Sequence, residues 1–308
     1  MIRTVPLCLL LFLGCAQQEA EAPPALDVSL LKGDAAFVRV DSFVKLGAKI
    51  AGEQSAQDAA NYIKDQLSAD GLPAKLVSFK DQSPAGELSF HNVVAEINAA
   101  ASNYIILSCH FDTKAGVSDN FAGANDSGSG VGLLLELAKI LQENWKQAPG
   151  IRFVFFDGEE CKVRYAAHDG FHGSRYMAEN IAEAAEQKRV IAMINLDMVG
   201  DKDLNITIPR NSTRTLVSKV FEAATNLGTR KYFELFPHNI GDDHSAFLGI
   251  GIPAINLIDF RFGSSPGLHD YWHSDEDTID KVSPESLEIV GQVVLEMLQL
   301  LAASESEK

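Results

Sequence analysis

The chain has 308 residues, room for one large domain or two small ones, with 46% apolar and 22% charged residues, the balance of an ordinary soluble globular protein. Its formal net charge of −16 excludes a nucleic-acid partner held through phosphates, because that needs a basic surface and no Lys/Arg run is present.

Met1-Ile-Arg3 leads into a leucine-rich apolar run from Thr4 to Gly14. That run is shorter than the roughly 20 residues of a bilayer span, so residues 1–14 are expected to be a signal peptide. Phe12-Leu13-Gly14-Cys15 resembles a bacterial lipoprotein cleavage box with Cys15 as the lipidated residue; plain signal-peptidase cleavage is the alternative. This places the exported chain on the periplasmic face of the bacterial envelope, touching the membrane only through Cys15. Residues 15–25, with Pro23-Pro24, read as a tether, and 26–308 as a single domain.

Helical patterns come first, at Asp34–Leu46 and Ser55–Ala69, the second closed by Asp70-Gly71. Strand-like runs follow at Ala74–Phe79, Asn92–Ile97 and Tyr104–Cys109, and apolar residues at helical spacing cover Gly128–Trp145. Ile151–Phe156 is apolar except for Arg152, as expected of a strand buried on both faces. A helix at Gly173–Gln187, strands at Val190–Leu196 and Leu204–Ile208, a helix at Thr213–Leu227 and a buried strand at Ala254–Ile258 come next. Ser283 and Pro284 suit the N-cap and first turn of a closing helix to Leu301. The alternation predicts an α/β fold, a three-layer sandwich whose central, mostly parallel, twisted sheet is flanked by helices. Outside the leader stand Cys109 and Cys161; two buried free thiols are the simpler expectation, a disulfide the alternative.

Chemistry-bearing residues gather at predicted strand ends, where such folds bind ligands. The segments are Ser108-Cys-His-Phe-Asp112, Asn125-Asp-Ser-Gly-Ser-Gly130, Phe156-Asp-Gly-Glu-Glu160, Asn195-Leu-Asp-Met198 and Tyr271-Trp-His273. Each has a plain reading alone: His110 a satisfied rim residue, Asp126 a helix cap, Asp197 a turn former, Ser274–Asp277 a solvated loop. Together they argue otherwise, because buried carboxylates need partners or a metal and adjacent Glu159 and Glu160 repel without a cation. Imidazole and carboxylate donors without thiolate point to zinc in a catalytic site.

In this order the segments resemble the catalytic core of the co-catalytic zinc aminopeptidases and of the glutaminyl cyclases, from about Asn92 to Val290. The resemblance implies metal ligands at His110, Asp126 (the bridging position in two-zinc members), Glu160, Asp197 and His273, with Glu159 as acid/base. His110-Phe-Asp-Thr-Lys114, Phe155-Phe-Asp-Gly-Glu-Glu160, Gly173-Ser-Arg175, Asp242-Asp-His244 and Trp272 before His273 are cyclase-like. Tyr165 stands where animal cyclases carry a pocket tryptophan, and Asp277-Thr-Ile-Asp-Lys-Val282 is closer to the peptidases. The cyclase branch implies one Zn2+, peptide or protein N-termini as substrate, Asp197 and Asp242 in a carboxyl network around Glu159, and Trp272 and Tyr165 as pocket walls. The aminopeptidase branch implies two zinc ions and hydrolysis of the first peptide bond. A binding lipoprotein without catalysis is a third reading, which the intact Glu159 opposes.

Overall fold

A computed structural model describes residues 25–118, 121–265 and 267–306. The expected signal peptide and the tether up to Pro24, with Cys15, lie outside the described residues. The fold opens with helices α1 (Gly33–Val44) and α2 (Gln54–Ala69), then a hairpin of β1 (Ala74–Ser83) and β2 (Gly86–Ile97). Next come β3 (Tyr104–His110), α3 (Gly130–Asn144), β4 (Gly150–Phe156), α4 (His172–Glu183) and β5 (Val190–Asp197). Short β6 (Ile206–Ile208) is followed by α5 (Arg214–Asn226), β7 (Phe233–Leu235), α6 (His244–Gly249), β8 (Ala254–Ile258) and the long α7 (Pro284–Ser306).

The main sheet runs β1-β2-β4-β3-β5-β8. β3 pairs in parallel with both β4 and β5, and β5 with β8, while β1 and β2 add an antiparallel margin. The predicted mostly parallel sheet, flanked by helices, is therefore the observed one. Strand alternation supplies both faces: Ile105, Leu107 and Cys109 of β3 enter the core under α1, α3 and α7, and Tyr104 and Ile106 enter the one under α4 and α6. Arg152, the polar exception in β4, donates to Glu96 on β2 at 2.7 Å and lies over the Tyr104 ring at 4.2 Å. Cys109 and Cys161 are buried and free.

The closing helix starts as expected, with Ser283 Oγ accepting the Glu285 amide at 3.1 Å. By composition α7 could cross a bilayer, but 61% of its apolar window is buried within the fold, so its hydrophobicity serves the core. β7 and α6 were not predicted, since three and six residues are too few to show a period.

α1 and α3 touch almost backbone to backbone: a Cβ on Gly132 would stand 2.4 Å from Val40 Cγ2 and 2.7 Å from the Val40 amide nitrogen. Gly132→Ala is therefore expected to cost about 1–3 kcal/mol of stability, read as a lower denaturant midpoint. Gly249→Ala, at an exposed helix position with open space around it, is expected to leave stability unchanged or raise it. Equal midpoints for the two variants would contradict this packing.

Candidate metal centre

Because β4, β3 and β5 run parallel, their carboxyl ends open side by side. β3 ends on His110 and β5 on Asp197, while the turn after β4 presents Asp157, Glu159 and Glu160. Asp126 comes from the loop entering α3 and His273 from the long loop after β8. His110 Nε2 lies 3.1 Å from Asp126 Oδ1 and 3.4 Å from Asp197 Oδ1. His273 Nε2 lies 2.8 Å from Glu160 Oε1 and 3.4 Å from Asp126 Oδ2. The five expected ligands thus form two triads that share Asp126, one oxygen toward each. Asp126 does not cap α3, which begins four residues later with Ser129 at its N-cap position.

Two further carboxylates hold the ligand loops by their backbone. Asp112, fully buried, accepts the Glu159 amide at 3.0 Å and the Glu160 amide at 3.1 Å, one on each oxygen. Asp277 does the same for Asn125 at 2.7 Å and Asp126 at 3.0 Å. The Ser274–Asp277 run is therefore not wholly a solvated loop, since its last residue is buried. Behind both sits Lys49, fully buried, its ammonium donating to the carbonyls of Gly47 and Ala122 at 2.7 and 2.8 Å. Sequence reading placed Asp112 in a chemistry-bearing segment without giving it a role, and passed over Asp277 and Lys49, which look like ordinary loop residues.

Burial and mutual repulsion raise the carboxylates. Burial, then the Asp126 charge, lifts Glu160 to about 6 and Asp277 to about 8. Burial, then Asp112, lifts Asp157 to about 8. Glu159 rises well above its usual range through burial, opposed by His110 and reinforced by Glu160 and Asp242. Asp242 rises through burial, then Asp197 and Asp243, while its oxygens accept the Asn195 and Asn256 side-chain amides at 3.0 and 2.5 Å. Although burial opposes it, His273 is pushed up to about 9 by Asp126 and Glu160.

The carboxylates open into a cavity of about 440 Å³ lined by Glu159, Tyr165, Asp242, Phe236, Phe260 and Trp272 among others. Trp272 stacks on His273, centroids 3.8 Å apart. The Tyr165 hydroxyl lies 3.0 Å from Glu160 Oε2 and 3.4 Å from Glu159 Oε2; burial and those two charges push its pKa well above the usual 10. Phe236, Phe260 and His238 were not anticipated in the wall. His269 is sandwiched between Phe260 at 4.2 Å and Trp272 at 4.8 Å.

The donor set fits a divalent cation. Ligand atoms on a tetrahedral zinc stand about 3.3–3.5 Å apart, close to the 2.8–3.4 Å between each imidazole nitrogen and the carboxylate oxygens of its triad, and all atoms of a triad lie within 4.8 Å of one another.

An Asn at 277 offers one acceptor oxygen where two amides need one each. Asp277→Asn is expected to weaken zinc binding about 10–100-fold, measured by competition with a chromophoric chelator; an unchanged affinity would rule out the clamp. Proton linkage gives a second expectation. Carboxylates whose folded pKa is raised, as for Glu160, Asp157 and Asp277, stabilise below their unfolded values and lose that contribution as pH rises through the folded ones. His244, lowered to about 4 by burial, acts oppositely but is outnumbered. Metal-free protein is thus expected to melt lower at about pH 7 than at about pH 5, with zinc adding more at the higher pH. A metal-free Tm rising over that window would refute it.

Residues 92–298 match Peptidase family M28. A glutaminyl-peptide cyclotransferase from Drosophila melanogaster is 26% identical, the alignment covering 84% of this chain and 79% of that one. A glutaminyl cyclase structure from an Acidobacteriales bacterium superposes with a TM-score of 0.83 at 32% identity, over 92% of this chain and 97% of that one. A Zn-dependent exopeptidase from Parabacteroides distasonis gives 0.77 at 26% identity, over 91% and 99%. With two thirds of its length matched by the family model, the chain belongs to Peptidase family M28.

Proposed function

We propose that this chain is a zinc-dependent glutaminyl-peptide cyclotransferase, converting the N-terminal glutamine of peptides to pyroglutamate with release of ammonia. The observation that carries the reading is Glu159, 6% exposed, set beside rather than within the triad of Asp126, Glu160 and His273, at the base of the aromatic-lined cavity. Relatives and structural neighbours named for this activity support it.

Asp126, Glu160 and His273 would hold one zinc, which when bound polarises a carbonyl oxygen. Trp272 and the Tyr165 ring wall the cavity and hold the glutamine side chain curled toward its own α-amine. Glu159 takes a proton from that amine as its nitrogen bonds to the side-chain amide carbon. It returns the proton to the departing amide nitrogen, which leaves as ammonia; no water is consumed. Asp197 and Asp242 form a carboxyl network beside Glu159, and Asp242, whose carboxyl burial holds well above its usual range, limits repulsion as Glu159 ionises.

One observation favours a second reading, a two-zinc aminopeptidase: the triad of His110, Asp126 and Asp197 is also complete. In that case Asp126 would bridge and Glu159 would act as base toward water. We further propose, on the leader sequence, that the chain is exported and anchored through Cys15.

Zinc-loaded protein is expected to remove about 17 Da, the mass of ammonia, from a Gln-initiated peptide and to leave a Leu-initiated one intact, with Glu159→Gln lowering kcat about 10²–10⁴-fold. Release of free leucine without cyclisation would transfer the assignment to the aminopeptidase.

A further inference from the structure

The loop from Cys161 to Phe171 is built more firmly than a cavity wall requires. Asp169 accepts the amides of Lys162, Val163 and Arg164 at 2.5, 2.9 and 2.8 Å, and Ala166 and Asp169 exchange backbone hydrogen bonds at 3.0 and 3.2 Å. Lys162 Nζ ties the loop to the Ala51 carbonyl at 2.9 Å, and the Phe171 amide donates to the Glu159 carbonyl at 2.9 Å. The Tyr165 ring stacks on Phe171, centroids 4.8 Å apart and 18° from parallel. Gly170 is required where it is: its φ is +86, and a Cβ would stand 2.7 Å from Tyr165 Cδ1 and 2.8 Å from the Glu159 carbonyl oxygen. The residue is 40% exposed, whereas the hydroxyl points inward, 3.0 Å from Glu160 Oε2 and 3.4 Å from Glu159 Oε2.

We propose that the Tyr165 hydroxyl is the positioning group for Glu159, holding Oε2 so that Oε1 faces the reacting nitrogen. This rests on the cyclase reading above. A group that shuttles a proton alternates between carboxylate and carboxylic acid, so a fixed partner must serve both forms. A hydroxyl both donates and accepts. It donates to Glu159 while that group is ionised, and accepts from it, while donating to Glu160, once the proton has been taken up. Glu159 then keeps its place through both halves of the turnover.

The test uses zinc-loaded wild type, Tyr165→Phe, Glu159→Gln and the double variant, each with a Gln-initiated and a Leu-initiated peptide. Zinc retention and Tm are measured alongside. Tyr165→Phe keeps the ring and removes only the hydroxyl. It is expected to lower kcat about tenfold, the effect of about 1.4 kcal/mol, with KM within about twofold and zinc and Tm unchanged. In single-turnover reactions of the Glu159→Gln background, the same change is expected to add no further loss. Wild-type kcat in Tyr165→Phe, an equal rise in KM, loss of zinc, or the same tenfold drop on top of Glu159→Gln would each overturn the proposal. Free leucine from the wild type would overturn the cyclase reading alone, and the hydroxyl would then be judged by the same split on leucine release. A wild type that transforms neither peptide overturns both.

Discussion

Everything at the open ends of the strands depends on keeping several negative charges in one dry wall. Asp112, Asp126, Glu159, Glu160, Asp197, Asp242 and Asp277 are all at least nine-tenths buried, and carboxylates so placed repel one another strongly. The fold answers with directed dipoles and fixed cations. Backbone amides meet Asp112 and Asp277, side-chain amides meet Asp242, and imidazoles stand between Asp126 and its neighbours. What these donors leave unbalanced is carried by protons in the metal-free protein, and would be carried by a cation in the loaded one. The ligand loops are shaped by the same requirement, since each clamp fixes two successive amides and so the direction of the side chain that follows.

Much of this could be read from the sequence, because burial in a parallel sheet writes itself as short apolar runs and the chemistry sits at their ends. His110 follows one such run, Glu159 and Glu160 another, Asp197 a third, and all of them converge in space. The clamps were harder to see. Asp277 shares a polar stretch with exposed Asp275 and Glu276, and only its own inward turn separates it from a surface residue. Lys49 is a lysine in a connection between helices, where exposure is the normal expectation, yet here it is sealed beneath the site. The phenylalanines of the aromatic wall were invisible for a different reason. Phe236 and Phe260, 5.8 Å apart, lie on separate segments that β6 brings together, the Phe236 amide donating to the Ile208 carbonyl and the Phe260 amide to Thr207 Oγ1.

The donor set and the cavity carry different information. Two complete triads around Asp126 are compatible with one or two ions, so the ligands report the family more than the reaction. The walls report the reaction. Tyr165 and Trp272 line the space beside Glu159, and on the cyclase reading a largely apolar wall would favour a substrate that folds back on itself over one that lies extended with a water beside it. The selection between chemistries would then rest with wall residues outside the two triads.

The order in which the ligands occur along the chain has a consequence for how the protein assembles. His110 meets Asp197 across 87 residues and His273 meets Glu160 across 113, so no two of these partners belong to one local element. Such contacts form only after the loops between them have been closed at an entropic cost. An ion held by these triads would therefore meet no assembled site in an early collapsed chain. It would join distant segments that the sheet had already made adjacent, slowing their separation more than hastening their encounter. Such a metal would be a bolt on the native state rather than a template for reaching it.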